Sequence, residues 1–332
     1  MTLKEKFRFE NMGYEGLQRL GKLLKPLLDQ YEKPQLNKYS SKTNSSDLHP
    51  VFIIGPPRTG STILYQILSN SLDLLYIDNL MDGFHRNLFF GAKLSNFFFN
   101  NKPHKCYKSR HGDTFRCGLH APSECGRFWY QWIPDRKHYV GREELSPQKI
   151  EEIRNIIYAL IKKFGKPFLL KNLMNSLRLE MIKQIAPQAK IIFIKRNPLD
   201  TALSILRARK ETQTPKNELW SVNPKNYKEL VKLDEYEMVV KQIYYIEKQI
   251  YHDQKLFPKG NLLTVHYENL CDNTVEESYR IKDFIDPQLL KKDTVISINR
   301  KPKKGKDKIE SYLKDKLEYH IKKLDWENYE RK

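Results

Sequence analysis

Residues 51–62 read Val-Phe-Ile-Ile-Gly-Pro-Pro-Arg-Thr-Gly-Ser-Thr, an apolar run that breaks into a Gly/Pro turn and ends in hydroxyls. Four β-formers before a turn predict a buried strand. Ile63, Leu64, Ile67 and Leu68 then recur at helical spacing, so a helix is predicted to start at Ser61. A strand, a glycine-containing turn and a helix start together form a cradle for an anion. Amide N–H groups at a helix start have no partner within the helix, and the helix dipole favours negative charge there. A kinase or GTPase loop needs Gly-x4-Gly-Lys-Ser/Thr, with the lysine reaching the β/γ-phosphates. Gly55 and Gly60 have that separation, but Ser61 occupies the lysine position and the basic residue, Arg58, comes earlier. The loop is built to hold a phosphate and lacks the usual tool for moving a γ-phosphoryl group.

Further strands alternate with helices along the chain. Short apolar runs predict strands at 167–171, 190–195 and 262–266. Ser146 before Pro147 reads as the cap of a helix through Ile161. Other helices are expected at 176–186, after Pro198, and as one long element over 225–256. Leucines from Leu17 to Leu28 predict an amphipathic helix interrupted near Pro26, followed by a polar linker over 34–50. This alternation specifies an α/β fold with a central parallel sheet flanked by helices in three layers, and ligands at the carboxyl ends of the strands.

The 332-residue length suffices for one large α/β domain, and 59 Lys+Arg against 40 Asp+Glu, net +19, points to an anionic partner. Cys106, Cys117, Cys125 and Cys271 lack the density of a disulfide framework and the spacing of a zinc site, so no metal is expected. The charged N-terminus has no apolar leader core, and no apolar run reaches membrane-spanning length. A cytoplasmic protein without a transmembrane segment is expected.

Arg196 closes the strand at 190–195, and Ser204 follows eight residues on, inside the next helix. A guanidinium and a hydroxyl so placed can hold one phosphate from two sides. Here the sequence resembles a known family. Pro57-Arg-Thr-Gly-Ser-Thr62 is similar to the 5′-phosphosulfate loop of sulfotransferases that use 3′-phosphoadenosine-5′-phosphosulfate (PAPS). Arg196-Asn-Pro-Leu-Asp-Thr-Ala-Leu-Ser204 is similar to their 3′-phosphate segment. Leu169-Leu-Lys-Asn172 resembles the family's lysine-bearing strand end, and Val265-His-Tyr-Glu-Asn-Leu270 its Arg-Tyr-Glu-Asp-Leu stretch. The likeness covers roughly 51–78 and 165–271 and is nearest the bacterial and tyrosylprotein-type branch. Leu173 and Asn175 depart from it, standing where proline and histidine are common.

The resemblance implies a P-loop-like fold and in-line transfer of a sulfuryl group from PAPS to a hydroxyl, or less readily an amine. The acceptor is a small molecule, carbohydrate or peptide. Arg58, Thr59, Gly60, Ser61 and Thr62 would hold the 5′-phosphosulfate, Arg196 and Ser204 the 3′-phosphate, and Tyr267 would lie near the nucleotide. Lys171 would face the bridging oxygen, and Arg300 and Lys301 would belong to a basic segment closing over the phosphates. The attacking group must lose a proton, so a base is required. Asp78, His85 and Glu124 are the candidates.

One domain is expected over 1–332, with an N-terminal extension and linker over 1–49 and a basic C-terminal segment over 291–332. The aromatic-rich stretch 79–145 is expected to form an acceptor-binding cap. Two alternatives are disfavoured. A phosphotransferase would want a lysine at Ser61 and an acid after the strand at 191–194. A nucleic-acid binder would interleave aromatics with the basic run at 300–308, which has none.

Overall fold

The computed structural model describes residues 3–40, 48–100, 102–134, 137–290 and 308–326. Five strands, β1 (Val51–Ile54), β2 (Leu75–Tyr76), β3 (Phe168–Lys171), β4 (Lys190–Lys195) and β5 (Leu262–His266), form one sheet in the order β2-β3-β1-β4-β5. Every pairing is parallel, with Val51 opposite Leu169 on one side and Lys190 on the other. The helices between and around them are α1 (Leu3–Ser40), α2 (Ser61–Ser71), α3 (Asn79–Gly83), α4 (Leu88–Phe99), α5 (Gly126–Trp129), α6 (Pro147–Phe164), α7 (Leu179–Ile185), α8 (Pro198–Glu211), α9 (Tyr227–Leu230), α10 (Glu235–Asp253), α11 (Tyr267–Asp272), α12 (Thr274–Ile285) and α13 (Lys308–Lys322).

The three layers follow from the two-residue period of a strand. On β1, Phe52 and Ile54 point into a core shared with α6 and α7, while Val51 and Ile53 point into a second core shared with α2 and α12. All four β1 side chains are buried, so the uninterrupted apolar run marks a central strand. Because β1 pairs with β3 on one side and β4 on the other, the carboxyl ends of three neighbouring strands converge beside the 55–60 loop.

Several local expectations needed correction. α1 runs through Pro26 and Pro34 without interruption and includes residues 34–40, where the polar composition predicts a linker. Pro26 lies on the exposed side, while Leu17, Leu24 and Leu28 pack with Leu80 and Phe84, and this tertiary packing carries the helix past the lost hydrogen bond. The long helix over 225–256 is divided. Asp234 accepts from the N–H groups of Tyr236 and Glu237 and starts α10 afresh. The helix placed at 176–186 is a 3-10 turn, Leu173–Leu177, followed by α7. Of the aromatics of 79–145, Phe84, Phe89, Phe128, Trp129 and Trp132 are buried, Phe97 and Phe98 are exposed, and the others are partly buried.

Cys106 and Cys117 are joined in a disulfide, with Cα atoms 5.6 Å apart. Composition hid this pairing, because one staple closing an eleven-residue loop does not make a framework. Cys125 is a buried free thiol. Among the described residues, no helix is long and apolar enough to cross a membrane. Arg300, Lys301 and the rest of the 291–307 run lie outside the described residues.

Candidate functional site

The cradle is built from three strand ends. Ser176, in the turn after β3, accepts from Gly55 N–H at 2.9 Å and donates to Gly55 O at 3.0 Å, fixing where the loop leaves β1. Thr59 is fully buried and donates to Pro56 O at 2.8 Å. Its hydroxyl braces the loop from within and is not turned to the cleft. Gly60 ends the loop at φ 92°, and a Cβ there would stand 2.2 Å from the Tyr267 ring. Only glycine satisfies both the backbone angle and this approach. No side chain caps α2, whose first turn carries Ser61 and Thr62. Its outward N–H groups are thus left for a ligand.

Two guanidiniums flank this helix start. Arg58, held at φ 69°, donates from Nε to Ser204 Oγ at 3.0 Å and lies over the Trp220 ring. Arg196, at the end of β4, donates to Arg58 O at 3.3 Å and sits 4.8 Å from the Tyr267 ring centroid. Burial, with Arg196 as a like charge nearby, pulls the Arg58 pKa below its usual value, against the opposing pull of Glu211. The buried Nε of Arg196 has no hydrogen-bond partner among the described residues. An unsatisfied buried donor beside a second guanidinium and an uncapped helix start is the electrostatic complement of a polyanion.

Lys171 closes the other side. It ends β3, is buried, donates to Thr62 Oγ1 at 3.2 Å and is paired with the Glu124 carboxylate. Glu124 itself is partly exposed. These residues line a cleft of about 320 Å³, together with Ser109, His111, Gly112 and Trp220. His111 approaches Glu211 at 3.1 Å and packs edge-on against Trp220. Gly112 has φ 97°, and a Cβ there would lie 2.5 Å from Glu124 Oε1. Sequence patterning offered no periodic signal for this 109–112 loop, which is positioned by the Cys106–Cys117 bridge and by mutual backbone bonds of Arg110 and Asp113.

A second cavity, about 360 Å³, shares His111, Gly112 and Glu124 with the first and adds Tyr14, Asp82, Phe115, Arg127 and Tyr130. Tyr14 and Phe115 are in contact, their rings tilted 44° to one another with centroids 3.8 Å apart. Glu124 therefore stands at the wall common to both spaces.

Of the three acid–base candidates, only Glu124 is there. Asp78 is buried as the cap of α3, accepting from Met81 N–H at 2.8 Å and from Ser95 Oγ, with His120 Nδ1 at 3.4 Å. Its oxygens are engaged in holding α3 and α4, and it lines neither cavity. His85 donates from Nδ1 to Asp82 O at 3.1 Å and faces a different hollow between α1 and α3. Burial lowers its pKa. The geometry thus corrects the sequence expectation for Asp78 and His85. Gly60, Ser61, Thr62, Arg58, Arg196, Ser204 and Tyr267 all line the main cleft.

A family profile described as "Sulfotransferase family" matches residues 50–289. Two curated relatives, the omega-hydroxy-beta-dihydromenaquinone-9 sulfotransferases Stf3 of Mycobacterium bovis and Mycobacterium tuberculosis, are each 26% identical over 175 residues. That alignment spans 45% of this chain and 42% of the relative's length. Among solved structures, sulfotransferase STF1 of Mycobacterium tuberculosis H37Rv aligns at 14% identity and TM-score 0.47, covering 90% of this chain and 83% of that one. Sulfotransferase STF9 of Mycobacterium avium aligns at 14% identity and TM-score 0.43, covering 86% and 73%.

Proposed function

Because the chain belongs to the sulfotransferase family, we propose that it transfers a sulfuryl group from PAPS to an acceptor hydroxyl. The observation that carries this reading is the placement of the Lys171–Glu124 pair between two cavities, within reach of the α2 start. In this scheme the phosphosulfate lies on the N–H groups of Ser61 and Thr62, and Arg196 with Ser204 meets the 3′-phosphate. The acceptor enters the second cavity from the side of α1 and the 79–145 segment, as a single domain with an acceptor-binding cap would have it.

The acceptor oxygen attacks sulfur as the bond from sulfur to the 5′-phosphate oxygen breaks. The acceptor proton passes to Glu124, and the charge gathering on the departing phosphate oxygen is met by Lys171. The products are the sulfate ester and 3′-phosphoadenosine-5′-phosphate. Stabilising that charge with a preplaced cation is worth about 10²–10³ in rate. No metal is needed in this scheme.

The acceptor is a small molecule, carbohydrate or peptide, and the relatives named for a hydroxylated dihydromenaquinone favour a small molecule bearing a hydroxyl. A cytoplasmic location belongs to the proposal and requires that the Cys106–Cys117 bridge be reduced or shielded in the cell. Alkylation of intact cells followed by mass spectrometry reads that state.

Thermal shift with 3′-phosphoadenosine-5′-phosphate, ATP-Mg and an oligonucleotide tests the reading. The first ligand at 100 times its Kd should stabilise the fold by about 2.7 kcal/mol. Arg196→Ala should weaken it about 10-fold or more, the value of one charged hydrogen bond, while sparing nucleotides without a 3′-phosphate. Stabilisation by ATP-Mg alone would overturn the proposal.

A further inference from the structure

The face formed by α1 and α4 is apolar, exposed and basic at once. Leu20, Leu23 and Leu27 on α1 are 44%, 77% and 65% exposed, and their spacing of three and four places them on one side of the helix. Tyr31 continues that stripe and meets α4 through Phe90 and Lys93. Phe97, one and two turns beyond Lys93 and Phe90, is 79% exposed, with the exposed Phe98 beside it. Five large apolar side chains thus project from two adjoining helices whose inner faces are already packed around Leu28, Leu80 and Phe84. Isolated exposed leucines need no explanation, but a cluster of this kind marks a contact surface.

Charge identifies the occupant. From Arg86 to Arg116 inclusive the chain carries seven lysines and arginines against a single acid, Asp113. Lys102, three residues after α4, is exposed, as are Lys105 and Lys108, whose backbones bond to Asn70 and Gln66 of α2. A second copy of the chain docking here through a twofold contact would bring this cationic segment onto itself. An anionic bilayer answers both properties, accepting Phe and Leu side chains at the level of its headgroups and lysines at its charged surface. The same two segments supply Tyr14 and Phe115 to the second cavity, so the face lies on elements that border it.

We infer that the α1–α4 face docks the protein on the surface of an anionic lipid membrane, with Phe97, Phe98, Leu23 and Leu27 inserted among the headgroups. This attachment is peripheral and needs no spanning helix. It is measured without turnover, so it stands or falls separately from the sulfuryl-transfer reading.

The test is co-sedimentation of the full chain with vesicles of phosphatidylcholine alone or with phosphatidylglycerol at 30 mole percent, an amount on the order of that used to mimic an anionic leaflet. Binding is expected to the mixed vesicles, to weaken sharply in high salt, and to be slight on neutral ones. Phe97→Ser with Phe98→Ser should reduce the partition coefficient about tenfold or more, since even partial burial of two phenyl groups is worth that much. Leu23→Ser with Leu27→Ser should act in the same direction. All four positions are exposed, so melting temperatures should stay at the parental value. Absence of binding to phosphatidylglycerol vesicles, or parental binding by both double variants, would overturn the inference. So would a dimer in sedimentation velocity that the same substitutions dissociate in the absence of lipid.

Discussion

Exchanging Glu124 for glutamine removes the proposed proton acceptor while leaving almost everything else in place. The amide oxygen still accepts from Lys171, which also keeps Thr62 Oγ1 at 3.2 Å. Glu124 is about one-third exposed, so solvent screens much of the lost ion pair and the stability cost should stay near 1 kcal/mol. General-base catalysis contributes about 10²- to 10⁴-fold, equivalent to roughly 2.7–5.5 kcal/mol of barrier. Single-turnover transfer from labelled PAPS should therefore slow by about that factor, with the affinity for 3′-phosphoadenosine-5′-phosphate changed less than about threefold. The companion substitution Asp78→Asn should do the reverse. Asp78 is buried and accepts from Met81 N–H and Ser95 Oγ, and bonds to a charged acceptor are worth about 1.5–3 kcal/mol each. A loss of about 2–4 kcal/mol would lower Tm by roughly 3–6 °C in a chain of 332 residues while the rate per folded molecule persists. Transfer by Glu124→Gln within tenfold of the parent, or a collapse of turnover in folded Asp78→Asn, would refute the assignment of the base.

Two further outcomes are expected. Gly60→Ala forces a side chain into φ 92° and onto the Tyr267 ring at 2.2 Å, so it should cost about 1–3 kcal/mol in urea unfolding; a variant as stable as the parent would contradict the close approach. Glu32 is buried, accepting from Phe90 N–H and Asn87, and burial pushes its pKa up to about 7. The folded state then holds a proton that the unfolded chain releases near pH 4.5, so stability should fall by about 3 kcal/mol as pH rises from there to about 7, and level off above. Glu32→Gln should remove that slope in denaturation curves recorded at pH 5 and pH 8.

The parts of the site that sit on strand ends were legible in the sequence. A strand announces its end through local patterning: Lys171 follows an apolar run directly, and Arg196 and Tyr267 follow one with only Lys195 and His266 between. Ser204 followed from its place one helix start after Arg196. Glu124 and Asp78 could not be ranked this way. Glu124 meets Lys171 from 47 positions away, delivered by irregular chain without any period. His111 and Gly112 were missed for the same reason, since their loop is shaped by a disulfide and two backbone bonds. The uninterrupted α1 shows the converse failure, where a local rule about Pro26 yielded to burial of Leu24 and Leu28.

The contacts that define the cleft are also among the most distant in the chain. Arg58 reaches Ser204 across 146 positions, Gly55 reaches Ser176 across 121, and Lys171 reaches Thr62 across 109. Closing contacts of that span costs chain entropy before the contacts repay it, so the anion cradle is expected to form late in folding. A fragment holding one half of the sheet is expected to lack it. Ligand binding and completion of the sheet are coupled steps, and a nucleotide that fits the cleft will slow the opening of β1 from β3 and β4 together.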